Sequence, residues 1–208
     1  MDQKVANYPG ITVETKSGFI HGIDGAVIEK REYLIPEAPS GLLRGDRQNF
    51  ERHFGRRAAL EEVYFGNSVA PDCSTYAVSE SDLNTAETAC FVSQIAPDVV
   101  FVFGCDLIRD PLFSALPPNT INLHLGLSPR YRGSATLFWP FYFLEPNWAG
   151  TTFHHIISEP DAGNVIHQTT PTLEAKDGIH DVGCKAVVRS SSEAVRLLEH
   201  YRKKGNWR

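Results

Sequence analysis

The run Pro97-Asp98-Val99-Val100-Phe101-Val102-Phe103-Gly104 decides how the rest of the chain is read. Unbroken β-branched and aromatic residues between a proline and a glycine are the pattern of a strand covered on both faces, as in the parallel sheets of α/β proteins. We read it as a central strand. Just upstream, Asn84-Thr85-Ala86-Glu87 reads as an N-cap at Asn84 with an acid three residues on, and predicts a helix carrying Cys90, Phe91 and Ile95. Downstream, Pro117-Pro118-Asn119 leads into a second short apolar run, Ile121 to Leu125. Helix, strand, connection, strand is the order of an open α/β sheet, mostly parallel and twisted, with helices on both faces.

Further out, Ile23 to Ile28 reads as another strand, and Asp46 to about Leu60 as a charged helix with Phe50 and Phe54 one turn apart. Thr151 to Ser158 and Val165 to Thr170 are two more strand-like stretches. The turn-rich link Glu159-Pro160-Asp161-Ala162-Gly163 joins them, which places Asp161 on a turn between strands. Asp181 to Arg202 is a helix weakened by Ser190-Ser191-Ser192 and stopped near Gly205. Ser134 is read as the cap of a helix carrying Leu137, Phe138 and Trp139. The aromatic run Phe138-Trp139-Pro140-Phe141-Tyr142-Phe143 is read as core, with an interface as the alternative. With 208 residues, 42% of them hydrophobic, the chain suits a single domain over 1–208. Residues 1–22, polar apart from Ile11-Thr12-Val13 and broken by Pro9-Gly10, make an atypical or truncated start to it.

The composition narrows the function classes. A net charge of −5 and the lack of a basic run argue against nucleic acid, leaving a small-molecule substrate as the default. Cys73, Cys90, Cys105 and Cys184 lie far apart with no CxxC pair, which suggests reduced thiols in the cytoplasm. No apolar run is long enough to span a bilayer, so no membrane partner is expected. Homo-oligomerisation is left open.

Asn122 and His124 lie two apart at the end of a short strand and so point the same way, at the edge where open α/β sheets hold their sites. An Asn amide donates to a carbonyl oxygen and a His moves protons or stabilises an oxyanion, so the pair suits attack on a carbonyl. Asp161 is a carboxylate that could orient the imidazole. On spacing alone the pair is commonplace and Asp161 equally reads as an ordinary turn residue. His154 and His155 face opposite sides of a strand, and His154 is read as structural. A metal site from His124, His154, His167 and Asp161 has no supporting HxH or HxxxH spacing, and no metal is expected. Arg130 and Arg132, flanking Tyr131, could bind an acceptor phosphate or carboxylate or simply serve solubility.

The stretch NLHLGLSPRYRGS, residues 122–134, resembles the signature of the formyltransferase family that uses 10-formyltetrahydrofolate, Asn-x-His-x-Ser-Leu-Leu-Pro-x-(Tyr/Trp/Phe)-(Arg/Lys)-Gly. GTTFHHIISEPDAGNVI, residues 150–166, resembles the family's second signature, Gly-x-Thr-x-His-x-x-x-x-x-x-Asp-x-Gly-x-Ile, without a gap. The resemblance is clear from about residue 96 to 171 and weaker from 23 to 95. It implies a Rossmann-like α/β fold and a catalytic trio of Asn122, His124 and Asp161. It also implies a pterin lying against Phe103, Gly104, Cys105, Leu107 and Ile108 and the backbone around Asp161, with Cys105 as lining. The implied donor is 10-formyltetrahydrofolate. The implied acceptor is a small-molecule primary amine such as an amino sugar, free or nucleotide-linked. Two alternatives stand beside this: hydrolysis of the donor, and a non-catalytic folate-binding module. Two departures are visible: Gly126-Leu127-Ser128-Pro129 replaces Ser-Leu-Leu-Pro, and the family's first strand and glycine turn, which help hold the acceptor, have no counterpart.

Overall fold

A computed structural model of the chain describes residues 25–29, 36–67 and 73–207. The elements run β1 (Gly25–Glu29), α1 (Arg44–Phe65), β2 (Ser74–Val78), α2 (Ala86–Ile95), β3 (Val100–Phe103), α3 (Leu112–Ala115), β4 (Thr120–His124), α4 (Trp139–Tyr142), β5 (Thr151–His155), β6 (Val165–Thr169) and α5 (Ile179–Lys204). The α/β class expected from the sequence holds. The first half is the parallel part, with β1 beside β2 and β3 beside β4. The second is antiparallel, β4 to β5 and β5 to β6, giving a four-stranded order β3-β4-β5-β6.

β3 is less central than its sequence suggested. Among the described residues it pairs with β4 alone and all four of its residues are half-buried. A continuous apolar run reports covered faces, not paired edges. The stretch around Ile11-Thr12-Val13, and with it the atypical start at 1–22, lies outside the described residues, as do residues 23 and 24 of the expected first strand.

Register places the site. β4 reads Thr-Ile-Asn-Leu-His, so period-two alternation sends Asn122 and His124 to one face and Ile121 and Leu123 to the other. Antiparallel pairing sets Asn122 opposite His154 and His124 opposite Thr152, adding both β5 residues to that first face; Gln168 of β6 joins them opposite Thr152. The other face carries Ile121, Leu123 and Phe153, all buried, and packs on Ala194 and Leu197 of α5 with Phe101, Phe103, Ile166 and Trp207 around them. Each such side chain contributes about 2–3 kcal/mol by leaving water.

A second core, Val78, Leu83, Val92 and Leu112, lies around α2 and α3 and takes in Val27, Tyr76, Cys105, Ile108 and Leu116. α2 begins one residue later than the sequence reading placed its cap, because Thr85 and not Asn84 accepts from the first turn: Thr85 Oγ1 accepts from the Thr88 N–H, and Ala96 closes the helix in the left-handed conformation just ahead of Pro97.

α5 starts two residues earlier than expected, where Asp181 Oδ2 accepts from the Gly178 N–H at 2.9 Å, and it ends at Gly205, φ +71°. The serine run does not break it. Ser191 and Ser192 bond back to the carbonyls one turn earlier, while Ser190 turns inward to buried Thr151 (2.7 Å) and Thr169 (3.3 Å). Two readings are corrected. Ser134 caps no helix, because the chain turns at Ala135 (φ +53°) and α4 begins only at Trp139, with Phe138 at its N-cap. The aromatic run is not core either. Phe138, Trp139, Tyr142 and Phe143, with Leu144 and Trp148, are exposed, because α4 is one turn long and buries Pro140 instead.

Candidate active site

The polar face of β4 and β5 is roofed by the loop after β4. Thr152 Oγ1 donates to the Gly126 carbonyl at 2.6 Å and accepts from the Ser128 N–H at 3.0 Å, while Gln168 Nε2 donates to the Ser128 carbonyl at 2.8 Å. Gly126 is required by closeness: a Cβ there would collide with the Tyr131 carbonyl and the Thr136 side chain, with His124 Nε2 at 2.9 Å. The departure from the serine of the signature is thus explained by a roof that sits directly on residue 126.

Asp161 comes in from the β5–β6 link. Its backbone is left-handed, φ +53°, a conformation aspartate tolerates better than most residues. Gly163 lets the link lie flat on β5, since a Cβ there would run into the His155 carbonyl. The carboxylate is then shared: Oδ1 lies 3.4 Å from His124 Nδ1 and 3.5 Å from His154 Nε2, and Oδ2 accepts from the Gly133 N–H at 3.1 Å. His124 and His154 are both buried.

Fixed acceptors assign the protons. The Tyr131 carbonyl can only accept, so His124 Nε2, 2.9 Å away, carries a hydrogen and its Nδ1 faces Asp161. By the same argument His154 Nδ1 donates to the His155 carbonyl at 2.9 Å, leaving Nε2 to accept from Asn122 Nδ2 at 3.2 Å. The adjacent His155 has its pKa pushed below the usual histidine value, first by burial and then by the neighbouring His154.

The structure therefore brings together Asn122, His124 and Asp161, and adds His154, which sequence reading took as structural. Its place in the second signature was the available signal. Tyr131 is buried, and its OH donates to Glu145 at 2.9 Å. Arg130 pairs with the same carboxylate at 2.6 and 2.9 Å and lies 4.8 Å from the Trp148 ring. The Tyr131 side chain first and Glu145 second raise the pKa of Arg130, while Arg130 first and Tyr131 second lower that of Glu145. Arg132 reaches the other way, donating to the Pro160 carbonyl at 3.3 Å beside Asp161. Of the three residues expected at the acceptor, two are thus engaged with Glu145 and one braces the aspartate's loop.

The segment 104–110 leaves β3 at the same carboxyl end where His124 closes β4, because the two strands are parallel with Phe103 beside Leu123. Within it Cys105 and Ile108 pack on the second core and Leu107 is exposed, while Phe103, the last residue of β3, packs on the first core. Of the residues expected to line a pterin, Phe103, Cys105 and Ile108 thus have their side chains engaged in the two cores. Among the described residues no group of three or more His, Cys, Asp or Glu side chains could hold a metal ion.

Residues 56–193 match the formyl transferase family, and the chain belongs to that family of enzymes. Among solved structures it is similar to glycinamide ribonucleotide transformylase 1 from Symbiobacterium toebii, with 22% identity and a TM-score of 0.51 over 74% of this chain and 70% of that one. It is also similar to phosphoribosylglycinamide formyltransferase from Anaplasma phagocytophilum, with 21% identity and a TM-score of 0.53 over 61% and 64%. A formyltetrahydrofolate deformylase from Pseudomonas syringae pv. tomato gives 22% and 0.51 over 61% of this chain and 45% of that one. These likenesses are of fold. No helix among the described residues is long and apolar enough to cross a membrane.

Proposed function

We propose that this chain moves a formyl group from 10-formyltetrahydrofolate to a primary amine of a small molecule, with Asn122, His124 and Asp161 as catalytic residues. One observation carries the reading. His124 from the first signature and Asp161 from the second meet at 3.4 Å on a face that also presents Asn122. The Pseudomonas syringae protein is named for formyltetrahydrofolate, the donor assigned here.

The donor is a flat heterocycle with hydrogen-bonding edges, and the backbone of 104–110 beside His124 suits it. The neutral amine attacks the formyl carbon, its lone pair forming the new C–N bond while the carbonyl electrons move to oxygen. Asn122 Nδ2 and His124 Nε2 donate to that oxyanion, His124 exchanging the Tyr131 carbonyl for it. The proton released by the amine is held between His124 Nδ1 and Asp161 and delivered to N10 as the old C–N bond breaks, releasing tetrahydrofolate.

The test is tetrahydrofolate release from 10-formyltetrahydrofolate, followed with and without a panel of amines that includes free and nucleotide-linked amino sugars. Amine-dependent release supports transfer. Release of formate without an amine replaces it with hydrolysis, and tetrahydrofolate binding with no turnover replaces both with a binding module.

A further inference from the structure

We infer that Asn84 is a positioning residue of the donor site, holding the segment after β3 in the shape that the pterin meets. The inference rests on the reading of 104–110 as the donor's contact. Asn84 lies before α2, outside both signatures, yet its one planar amide makes two bonds to that segment. Nδ2 donates to the Leu107 carbonyl at 3.0 Å, and Oδ1 accepts from the Arg109 N–H at 2.7 Å. A group that holds a carbonyl and an N–H two residues apart fixes the backbone of Ile108 between them.

Asn84 is itself held. Leu83 beside it is buried, and Thr85 Oγ1 and Thr88 Oγ1 both donate to the Asp82 carbonyl, at 2.9 and 2.8 Å. The segment has other anchors as well: Cys105 and Ile108 packed on the second core, the Arg109 carbonyl accepting from the Phe113 N–H at 2.9 Å, and Asp110 Oδ1 accepting from the Ser114 N–H at 3.1 Å at the start of α3. Those anchors hold its underside and its far end. At the exposed edge, where Leu107 and Arg109 lie, the Leu107 carbonyl and the Arg109 N–H are held by Asn84. Asn84 touches neither His124 nor Asp161 among its hydrogen bonds, so its effect belongs in donor affinity and not in the chemical step.

The experiment measures the dissociation constant for tetrahydrofolate by calorimetry, and donor KM, acceptor KM and kcat, in wild type, Asn84→Ala and Asn84→Asp. The aspartate keeps an acceptor for Arg109 but turns a second acceptor on the Leu107 carbonyl. Both variants are expected to bind tetrahydrofolate about tenfold more weakly or worse, with donor KM rising in parallel. The melting temperature, acceptor KM and kcat at saturating donor should stay near wild type. Unchanged or tighter tetrahydrofolate binding by Asn84→Ala overturns the inference and leaves the donor reading standing. A fall in kcat with donor affinity unchanged does the same. Failure of the wild type to bind tetrahydrofolate overturns the donor reading, and this inference with it.

Discussion

The two faces of β4 and β5 are built from the same ten residues, yet one carries the fold and the other the chemistry. On the α5 side Ile121, Leu123 and Phe153 are buried among apolar neighbours and need no partner beyond contact. On the opposite side Asn122, His124, Thr152 and His154 are mostly buried too, and burial of such groups costs free energy unless every one is bonded. They are bonded largely to backbone: Gly126, Ser128 and Tyr131 in the loop after β4, and His155 at the end of β5. Stability therefore comes from one face, while the arrangement of the other depends on the segments 125–134 and 156–164 that close over it. Thr151, Thr169 and Ser190 stand between the two cases, hydroxyls on the α5 side that satisfy one another.

Substitutions should keep this division. The largest effect is expected from Asp161→Asn or His124→Ala. Each should lower turnover on the order of 10⁴-fold, about 5 kcal/mol of barrier, with a far-ultraviolet spectrum like that of the wild type. Activity within tenfold of wild type in both would remove the catalytic assignment. Phe153→Ala on the other face should cost about 3–4 kcal/mol of stability in urea denaturation. Its turnover per folded molecule should fall much less, and a selective loss of turnover would break the division of labour. Ser190→Ala should cost only about 1 kcal/mol, because Thr151 and Thr169 remain paired at 2.8 Å.

The smallest effect is a pH slope away from both faces. His180 at the start of α5 has its pKa lowered first by burial and then by His53, Arg57 and Arg56 of α1, with Glu61 opposing. His155 is lowered in the same sense. The unfolded chain then binds these protons more readily than the folded one. Stability is complete above the ordinary histidine value of about 6.5 and falls as pH drops below it. Urea midpoints at about pH 7.5 and about pH 5 should show the decline, and His180→Gln should make it shallower. An identical slope in the variant would exclude His180 as a source.

Much of this was legible residue by residue. Alternation in β4 assigns Asn122 and His124 to one face, the capping signal at Asn84-Thr85 starts α2 to within one residue, and the turn residues around Asp161 separate β5 from β6. The aromatic run at 138–143 misled, because hydrophobicity says what a side chain would gain by burial and not whether an element long enough to bury it exists. The serines of α5 misled in the opposite direction. Their cost in a helix assumes no partner across the fold, and Ser190 has two.

By itself, then, the sequence determined which residues share a face and which two loops meet the chemistry, since those follow from the strand's two-residue period and from local turn stereochemistry. Tertiary structure alone decided that His154 joins Asp161, that Arg130 is taken by Glu145, and that Asn84 holds the segment after β3. Each of those depends on groups from separate segments meeting within a few ångströms, and no local pattern encodes which groups will meet.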